Sequence, residues 1–370
     1  MFKRLFSACF AAVALFLMLG GCEVEFSPDG KQIVFLWDTQ AHKKGLYIIN
    51  ADGTGFHPLP GGADGLQARW SPDGRYLIFN AQQNSQMQPA AQQQDVVRLY
   101  DTQSRQTKLI ASGVDAPFAW RADSRQCASI GGTTGKLEIR IYHVPDGSLI
   151  SHVPLPPTIQ GIELFNEQML WLPNSDSIVF FGYNAQGHDL YSVEGSQVRS
   201  ITSSHDVIGC GLSADGRRLI WARSGTSGGS VWIALWSMDL TTRSASRLPF
   251  PRHLPFSKAR RADADIRYVA FSPDGQRMAL AAFLPIGHRR NGNTKQYPAV
   301  FTVRLDGTGL RQAQRSDREE DMLIPSWSHD GKRLAVLRMG KKFGPVSIHL
   351  YNADGTGRVR IPLPPLPKDR

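Results

Sequence analysis

Residues 225–229 (GTSGG) have the residue pattern that is most closely associated with nucleophilic catalysis in this chain. A G-x-S-x-G segment exposes a serine hydroxyl when it forms the sharp turn between a strand and a helix of an α/β-hydrolase domain. Ser227 instead lies in a glycine-rich gap between two expected strands, and the rest of the sequence leaves no room for such a domain. We therefore expect a loop here and no catalytic residue.

Metal ligands with a recognisable spacing are also missing from the sequence. NADG at 50–53 and at 352–355 begins as a calcium loop does, but neither copy has the further oxygen ligands and the terminal glutamate, so a tight turn is the better interpretation. The ten histidines show no H-x-H or H-E-x-x-H spacing. No cysteine and histidine cluster has zinc-ligand spacing, and there is no phosphate loop. We expect no metal and no cofactor, although a fold that gathers ligands from several repeats would hide them.

Basic residues are concentrated in three segments of the C-terminal half, in a chain whose formal charge is +10. The candidates for binding an anionic partner are Arg252, Lys258, Arg260, Arg261, His288, Arg289, Arg290, Lys295, Lys341 and Lys342. These segments are either solvated loops, partly neutralised by the acidic residues 316–321 (SDREED), or a binding site. The anionic partner would be a phospholipid or lipopolysaccharide headgroup, a cell-wall polymer or an acidic protein. The sequence leaves both interpretations open.

The first 22 residues have the layout of an export signal, with a basic start (MFKR) and an apolar run closed by small residues (LFSACFAAVALFLMLGG). Leu19, Gly20, Gly21 and Cys22 resemble the lipobox of bacterial lipoproteins. The resemblance implies removal of residues 1–21 and attachment of diacylglycerol and a further acyl chain, such as palmitate, to Cys22. These chains would anchor the protein to a membrane that it does not cross. A transmembrane anchor and an ordinary cleaved signal are the alternatives.

The residue after the cysteine bears on localisation. Glu23 stands where an aspartate would resemble the inner-membrane retention signal of Gram-negative lipoproteins, so the resemblance implies the outer membrane, facing the periplasm, in a Gram-negative cell. Loss of Lys3 and Arg4 with the signal lowers the formal charge to +8. The exported protein therefore stays basic, but export makes nucleic acid an improbable partner.

A repeat dominates the remaining sequence and would position any of these groups. FSPDGKQIVF at 26–35 returns as WSPDGRYLIF at 70–79 and as FSPDGQRMAL at 271–280. Proline, aspartate and glycine suit successive positions of a tight turn, so each copy predicts a turn between two antiparallel strands. Seven such turns are found: five end at Gly30, Gly74, Gly216, Gly275 and Gly331, and in two degraded copies Ser124 and Ser177 replace the glycine.

Each turn belongs to a unit of roughly 50 residues with four expected strands, which is the period of a propeller blade. The units resemble the repeats of TolB-type β-propellers. We expect an all-β fold with a single seven-bladed propeller of four-stranded antiparallel blades at 26–364, after a tether at 22–25 and before a proline-rich tail at 365–370. TolB carries an α/β domain before its propeller, which we do not expect here because Phe26 follows Cys22 by four residues. The first blade should pack on the last without a shared strand.

The two remaining cysteines lie in different repeat units. Cys127 belongs to the third unit and Cys210 to the fifth. Two blades apart is too far for disulfide geometry. We expect two buried free thiols.

The function expected at this point is a non-enzymatic one. The protein would be a monomeric, membrane-anchored lipoprotein of the cell envelope whose propeller binds a partner protein, with binding residues on loops and at the mouth of the central channel. The alternatives are a propeller enzyme, a lyase or hydrolase, acting on envelope polysaccharide, and a component associated with a Tol-Pal-like system. Titratable groups that converge at the channel mouth would favour an enzyme over a binding protein.

Overall fold

The computed structural model describes residues 24–39, 42–82, 95–112, 117–133, 136–161, 169–173, 175–227, 230–252, 254, 265–288, 294–319, 321–340 and 345–364. Within these residues the chain forms strands β1 to β28 and no helix. The strands build seven separate sheets, each of four consecutive antiparallel strands. The predicted all-β, seven-bladed propeller is confirmed.

Each blade uses four strands in chain order, and β1 begins two residues before the predicted start of the propeller. Blades one to four contain β1 (Val24–Phe26), β2 (Gln32–Thr39), β3 (His42–Asn50), β4 (His57–Ala63), β5 (Ala68–Trp70), β6 (Tyr76–Gln82), β7 (Asp95–Asp101), β8 (Gln106–Ser112), β9 (Phe118–Trp120), β10 (Gln126–Thr133), β11 (Lys136–His143), β12 (Leu149–Pro154), β13 (Met169–Trp171), β14 (Ile178–Asn184), β15 (Gly187–Glu194) and β16 (Gln197–Ser200). Blades five to seven contain β17 (Val207–Leu212), β18 (Arg218–Ser227), β19 (Ser230–Asp239), β20 (Ala245–Arg247), β21 (Asp265–Phe271), β22 (Arg277–His288), β23 (Thr294–Arg304), β24 (Arg311–Arg315), β25 (Met322–Trp327), β26 (Arg333–Met339), β27 (Pro345–Asn352) and β28 (Val359–Ile361).

The first strand of each blade lies innermost and lines the axis. The inner strands β17, β21, β25, β1, β5, β9 and β13 contact one another in this order around the ring. Strands alternate in direction, so the turns after the first and third strands of every blade emerge on one face, which we call the turn face. The loops after the second strands and the links between blades emerge on the other, which we call the link face.

Side-chain chemistry explains why the turn after the first strand is repeated. The Ser27 hydroxyl donates to Asp29 Oδ1 at 2.6 Å and accepts from the Gln32 N–H at 2.9 Å. The Gly30 N–H donates to the Ser27 carbonyl at 2.8 Å, with Gly30 at φ +67°. The bond from serine to aspartate recurs at Ser71, Ser213, Ser272 and Ser328. These polar groups are hydrogen-bonded within the turn, so they stabilise it and are not available for catalysis or binding.

The two degraded turns differ in how well the sequence located them. Ser124 takes a positive φ of 61°, as the glycine does elsewhere, which confirms its position. The assignment of Ser177 is wrong. The Leu172 N–H donates to the Ser177 carbonyl at 2.9 Å, a bond that Ser27 makes with Gln32 in blade one. Because the strands pair in that register, Ser175 holds the glycine position and Ser177 immediately precedes β14.

Blade one packs on blade seven without a shared strand, as expected. Phe26 and Phe35 of blade one share an apolar cluster with Leu337 of blade seven. The Arg333 guanidinium of blade seven donates to the Gly30 carbonyl at 2.5 Å and lies 5.2 Å from the centre of the Phe26 ring. This seam between the blades is closed by burial and by a cation-π contact.

The seam also repeats a contact found between other blades. Gly53, in the turn before the last strand of blade one, lies so close to Pro362 of blade seven that an added Cβ would overlap it. Gly307 of blade six approaches Pro251 after the last strand of blade five in the same way. The boundary between the first and last blades is thus built like an internal one.

The two cysteines in the described part of the chain are buried and form no disulfide, as predicted. Burial raises the pKa of the Cys210 thiol to about 12 and also raises that of Cys127. Since the thiolate is the reactive form, neither thiol is set up for nucleophilic chemistry.

Candidate functional site

Arg252 is the one predicted basic residue whose side chain the structure describes, and it lies exposed on the link face. Its guanidinium lies 5.5 Å from the centre of the Trp232 ring, near the start of β19. Gly225 on the paired strand makes room for this ring, because a Cβ there would come within 2.8 Å of the indole. The backbone thus places an aromatic platform under a cation.

Blade six carries a second pair of the same kind, which the sequence did not single out. The exposed Arg315, at the end of β24, lies 5.7 Å from the centre of the Tyr297 ring in β23. Among the described residues, neither Arg252 nor Arg315 has an ion-pair partner. A cation-π contact uses none of the N–H donors of a guanidinium in a hydrogen bond to a carboxylate, so they can still bind an oxyanion.

The other predicted basic residues are described less fully. His288 ends β22 and Lys295 lies in β23, so both chain segments reach the link face of blade six, but only their backbone is described. The remaining basic residues of the prediction lie outside the described residues: Lys258, Arg260, Arg261, Arg289, Arg290, Lys341 and Lys342. The predicted lipidation site, Cys22, also lies outside them. Among the described residues, no helix has the length and apolar composition needed to cross a membrane.

The acidic link before blade seven is partly engaged by the blade itself. Arg338 Nε donates to the buried Asp321 Oδ2 at 2.6 Å, and Arg338 Nη2 lies 3.3 Å from Asp317 Oδ1. The Ser316 hydroxyl also donates to Asp321. Two of the acidic side chains thus face Arg338, which weakens the interpretation that this link neutralises the basic loops.

Positive charge also surrounds a buried histidine of blade seven. Arg358 Nη2 lies 2.8 Å from His349 Nε2, and only the arginine can donate, so this nitrogen accepts and Nδ1 carries the proton. Burial, with Arg358, Arg360 and Arg338 nearby, lowers the pKa of His349 to about 4. His349 is therefore neutral near pH 7, and the positive charge here belongs to the arginines.

Titratable groups from three blades approach the axis. Glu25 and Arg69 are the middle residues of the inner strands β1 and β5, and Glu25 Oε2 accepts from the Trp70 N–H at 3.0 Å. His329 occupies the second position of the turn in blade seven. Burial lowers its pKa and the charge of Arg69 lowers it further. The His329 side chain is nevertheless exposed to solvent.

A buried carboxylate holds a histidine in the link from blade four to blade five. Asp189 Oδ1 accepts from the Thr202 hydroxyl at 2.7 Å, the Ser204 N–H at 3.0 Å and the His205 N–H at 3.2 Å. Asp189 Oδ2 lies 2.6 Å from His205 Nδ1, although this contact is not aligned as a hydrogen bond. The Asp189 side chain is 2% exposed and the His205 side chain 31% exposed.

The same corner contains backbone strain and an ion pair. His205 has a φ of +60°, which is costly for a residue with a side chain. Next to it, Arg223 Nε and Nη2 bind the two oxygens of Asp206 at 2.6 and 2.9 Å. A carboxylate on Nδ1 favours the tautomer whose Nε2 is free to accept a proton. The arrangement suits general-base chemistry.

The weaker sequence motifs prove to be structural. The loop expected at 225–229 is wrong for its first three residues, because 225–227 belong to β18 and Ser227 pairs with Ser230 in a hairpin. GTSGG is therefore not a turn from a strand into a helix. Asp52 accepts from the Thr54 N–H and hydroxyl at 2.9 and 2.7 Å, which confirms a turn at the first NADG. Within the described residues, no three histidine, cysteine, aspartate or glutamate side chains gather as metal ligands would.

Comparisons with known proteins agree on the fold. No family model matches the chain. The propeller domain of the Trilobed protease from Pyrococcus furiosus, described as having an open velcro topology, is 11% identical with a TM-score of 0.61, over 95% of this chain and 99% of that one. An oligogalacturonate lyase in complex with manganese is 13% identical with a TM-score of 0.58, over 90% and 88%. TolB from Acinetobacter baumannii is 16% identical with a TM-score of 0.49, over 79% and 65%.

Other similarities are to parts of longer enzymes. Dipeptidyl-peptidase 5 of Porphyromonas gingivalis is 38% identical over 69 residues, which are 19% of this chain and 9% of that protein. The chain spans about half the length of the prolyl endopeptidase and acylaminoacyl peptidase structures that it resembles, 49% and 50%. Together with the blade topology, the likeness to the propeller domain of the Trilobed protease confirms the propeller fold that the repeats predicted.

The prediction of a non-enzymatic protein is contradicted by these comparisons. Propellers similar to this one belong to peptidases and to a lyase, and the lyase is similar over 88% of its own length. The prediction was wrong because it took a repeat that encodes a scaffold as a guide to activity, and such scaffolds carry many activities. Two groups of titratable side chains are candidates for catalysis: Glu25, Arg69 and His329 near the axis, and His205 beside Asp189.

Proposed function

We propose that the protein is a lipid-anchored propeller of the cell envelope that binds an anionic partner through the link face of blades five to seven. The lipobox resemblance at Cys22 supports the anchor. The observation that carries the binding function is the two cation-π contacts, Arg252 over Trp232 and Arg315 over Tyr297, on neighbouring blades of one face.

The geometry of these pairs suits recognition of oxyanions. A cation-π contact favours positions of the guanidinium over the ring, so less rotamer freedom is lost when an oxyanion binds it. Arginine, tryptophan and tyrosine are also the residue types that contribute most to binding surfaces. The predicted basic loops of the same blades would add charge around the two pairs.

Binding to immobilised polyglutamate tests this function. We expect the double variant R252S/R315S to bind about ten-fold more weakly at low salt, because two exposed charge contacts are lost. Added salt should reduce binding of the parent protein more than that of the variant.

A matched control exists on the turn face. Arg75 lies over Tyr76 and Arg121 over Trp171, and each also has a carboxylate partner, Asp101 and Asp176. R75S/R121S removes the same charge from the opposite face and should leave polyglutamate binding unchanged. Equal weakening by both double variants would mean that net charge, and not the link face, determines binding.

We also propose a hydrolytic activity towards carboxylic esters, supported by the contact between His205 and Asp189. Nε2 of His205 accepts a proton from water while the water oxygen attacks the ester carbonyl, whose electrons move to its oxygen. When the tetrahedral intermediate collapses, the alkoxide leaves and takes the proton back from Nε2. Asp189 is a positioning residue whose negative charge beside Nδ1 favours a proton on that nitrogen.

Hydrolysis of p-nitrophenyl acetate by the full chain tests this activity. H205N removes the base, and asparagine tolerates a positive φ, so we expect a folded protein whose kcat falls about 100-fold. D189N should lower kcat with little change in KM, because its amide would direct the imidazole proton to Nε2. His152 contacts Glu138 at 3.1 Å on blade three, so H152Q is the control and should keep the parent rate. A parent rate in H205N would refute the assignment.

A further inference from the structure

We propose that the anionic partner of the link face is the membrane surface to which the protein is anchored, so that the propeller lies with its link face against the lipid headgroups and its turn face away from them. The proposal rests on the lipid anchor and the anionic site of the proposed function. It adds the identity of the partner and the orientation of the propeller.

The position of the anchor is the first argument. Val24 is the first residue of β1, and β1 runs from the link face towards the turn that starts at Ser27. Only Glu23 separates Val24 from Cys22. Two residues of chain span at most about 7 Å. A lipidated Cys22 therefore holds the link-face end of β1 within that distance of the headgroups.

The chemistry of the exposed pairs is the second argument. Tryptophan and tyrosine are enriched where a membrane meets water, since their rings are apolar and their edges are polar. Arg252 over Trp232 and Arg315 over Tyr297 place a cation beside such a ring on two neighbouring blades. Phosphate oxygens of headgroups would meet the guanidinium edges while the rings reach the interface.

The short tether also decides between the possible anionic partners. An acidic protein would have to fit between the link face and a bilayer that is held within about 7 Å of it at β1. Headgroups are already within that distance of β1, and each basic residue near an anionic surface strengthens binding by about five-fold. An acyl anchor and a basic surface are the two signals that together give stable membrane association.

The orientation has a consequence for the axis. The turn in blade seven that carries His329 opens on the turn face, away from the membrane. The axial groups Glu25, Arg69 and His329 would then be reached by soluble molecules of the compartment and not from the lipid side.

Labelling of single added cysteines tests the orientation on the lipidated full-length protein. D317C reports on the link face and K31C on the turn face, because the parent side chains are 87% and 81% exposed. Cys127 and Cys210 are buried and will give little background. The proteins are placed on vesicles containing about 30 mol% phosphatidylglycerol, which makes their surface anionic, and are treated with a membrane-impermeant maleimide. Mass spectrometry of the N-terminal peptide reports the lipid on Cys22.

We expect D317C to react about five-fold more slowly than K31C on these vesicles, and at a similar rate in detergent. Adding R252S/R315S should restore labelling of D317C. If Cys22 carries no lipid, the anchor itself is wrong and the docking falls with it. If the protein is lipidated but D317C is not protected, or is protected equally on pure phosphatidylcholine, the anchor stands and the docking on anionic headgroups is wrong.

Discussion

F35A will lower the free energy of unfolding by about 3–5 kcal/mol, and F180A will lower it by a similar amount. Phe35 of blade one and Phe180 of blade four occupy equivalent positions in the second strand and are both fully buried. Phe35 packs at the seam with blade seven, whereas Phe180 packs between blades three and four. Each change removes a buried ring and leaves a cavity.

The comparison of the two variants measures how well the seam is closed. The Phe35 ring contacts Trp37 edge-on at 5.9 Å, and Phe180 stacks on Tyr191 at 5.5 Å. Both rings are also fully buried in apolar clusters that join two blades, so the seam should contribute as much to the free energy of unfolding as an internal boundary does. Urea denaturation followed by tryptophan fluorescence gives both values.

Exposed apolar residues provide the control. L149A should change the stability by less than about 0.5 kcal/mol, since Leu149 is 53% exposed. If F35A costs as little as L149A while F180A is severe, the seam opens without unfolding the other blades. That result would contradict the closure described here.

G275A will destabilise the protein by at least about 2 kcal/mol more than G195A. Both glycines have a positive φ, +63° and +59°, so both changes cost about 1 kcal/mol of backbone strain. The two sites differ in the room that they leave for an added Cβ. A Cβ at Gly275 would lie 2.7 Å from the Ala214 nitrogen of the neighbouring blade, whereas nothing lies within 4 Å of a Cβ at Gly195.

The difference isolates the contact between neighbouring turns. The obstacle at Gly275 is backbone, which cannot rotate away as a side chain does, so the turns of blades five and six must separate. Thermal and urea unfolding of the two variants against the parent protein provide the measurement. Equal losses would show that the glycine is needed only for its conformation and not for the close approach of blades.

The sequence predicted the scaffold because turn chemistry is local and repeated. Ser27, Asp29 and Gly30 satisfy one another within four residues, so the same letters mark the same turn wherever they occur. Where the turn sequence departs from this pattern, the predicted position can be wrong. In blade four, the glycine position was assigned to Ser177, two residues after its actual place. Only the pairing of Trp171 with Ile178 reveals the register there.

The candidate sites were not predictable in the same way, because they join residues that are distant in the sequence. Asp189 lies near the start of the third strand of blade four and His205 lies in the following link, and no motif connects them. Arg252 and Trp232 meet across two outer strands. One signal was available. The third strand of a blade starts on the link face, and the link that follows the fourth strand begins on the same face. Polar residues at the start of a third strand and in the following link are therefore neighbours.

The packing of the first blade on the last makes every link between blades a comparable place to start the chain. Val24 and Ile361, in the first and last strands described, belong to one packed cluster, and no sheet takes strands from both ends of the described chain. A circular permutant that joined these ends and opened the chain in any link between blades would contain the same seven sheets. Topologically, this propeller is a ring whose numbering begins at one of seven comparable places.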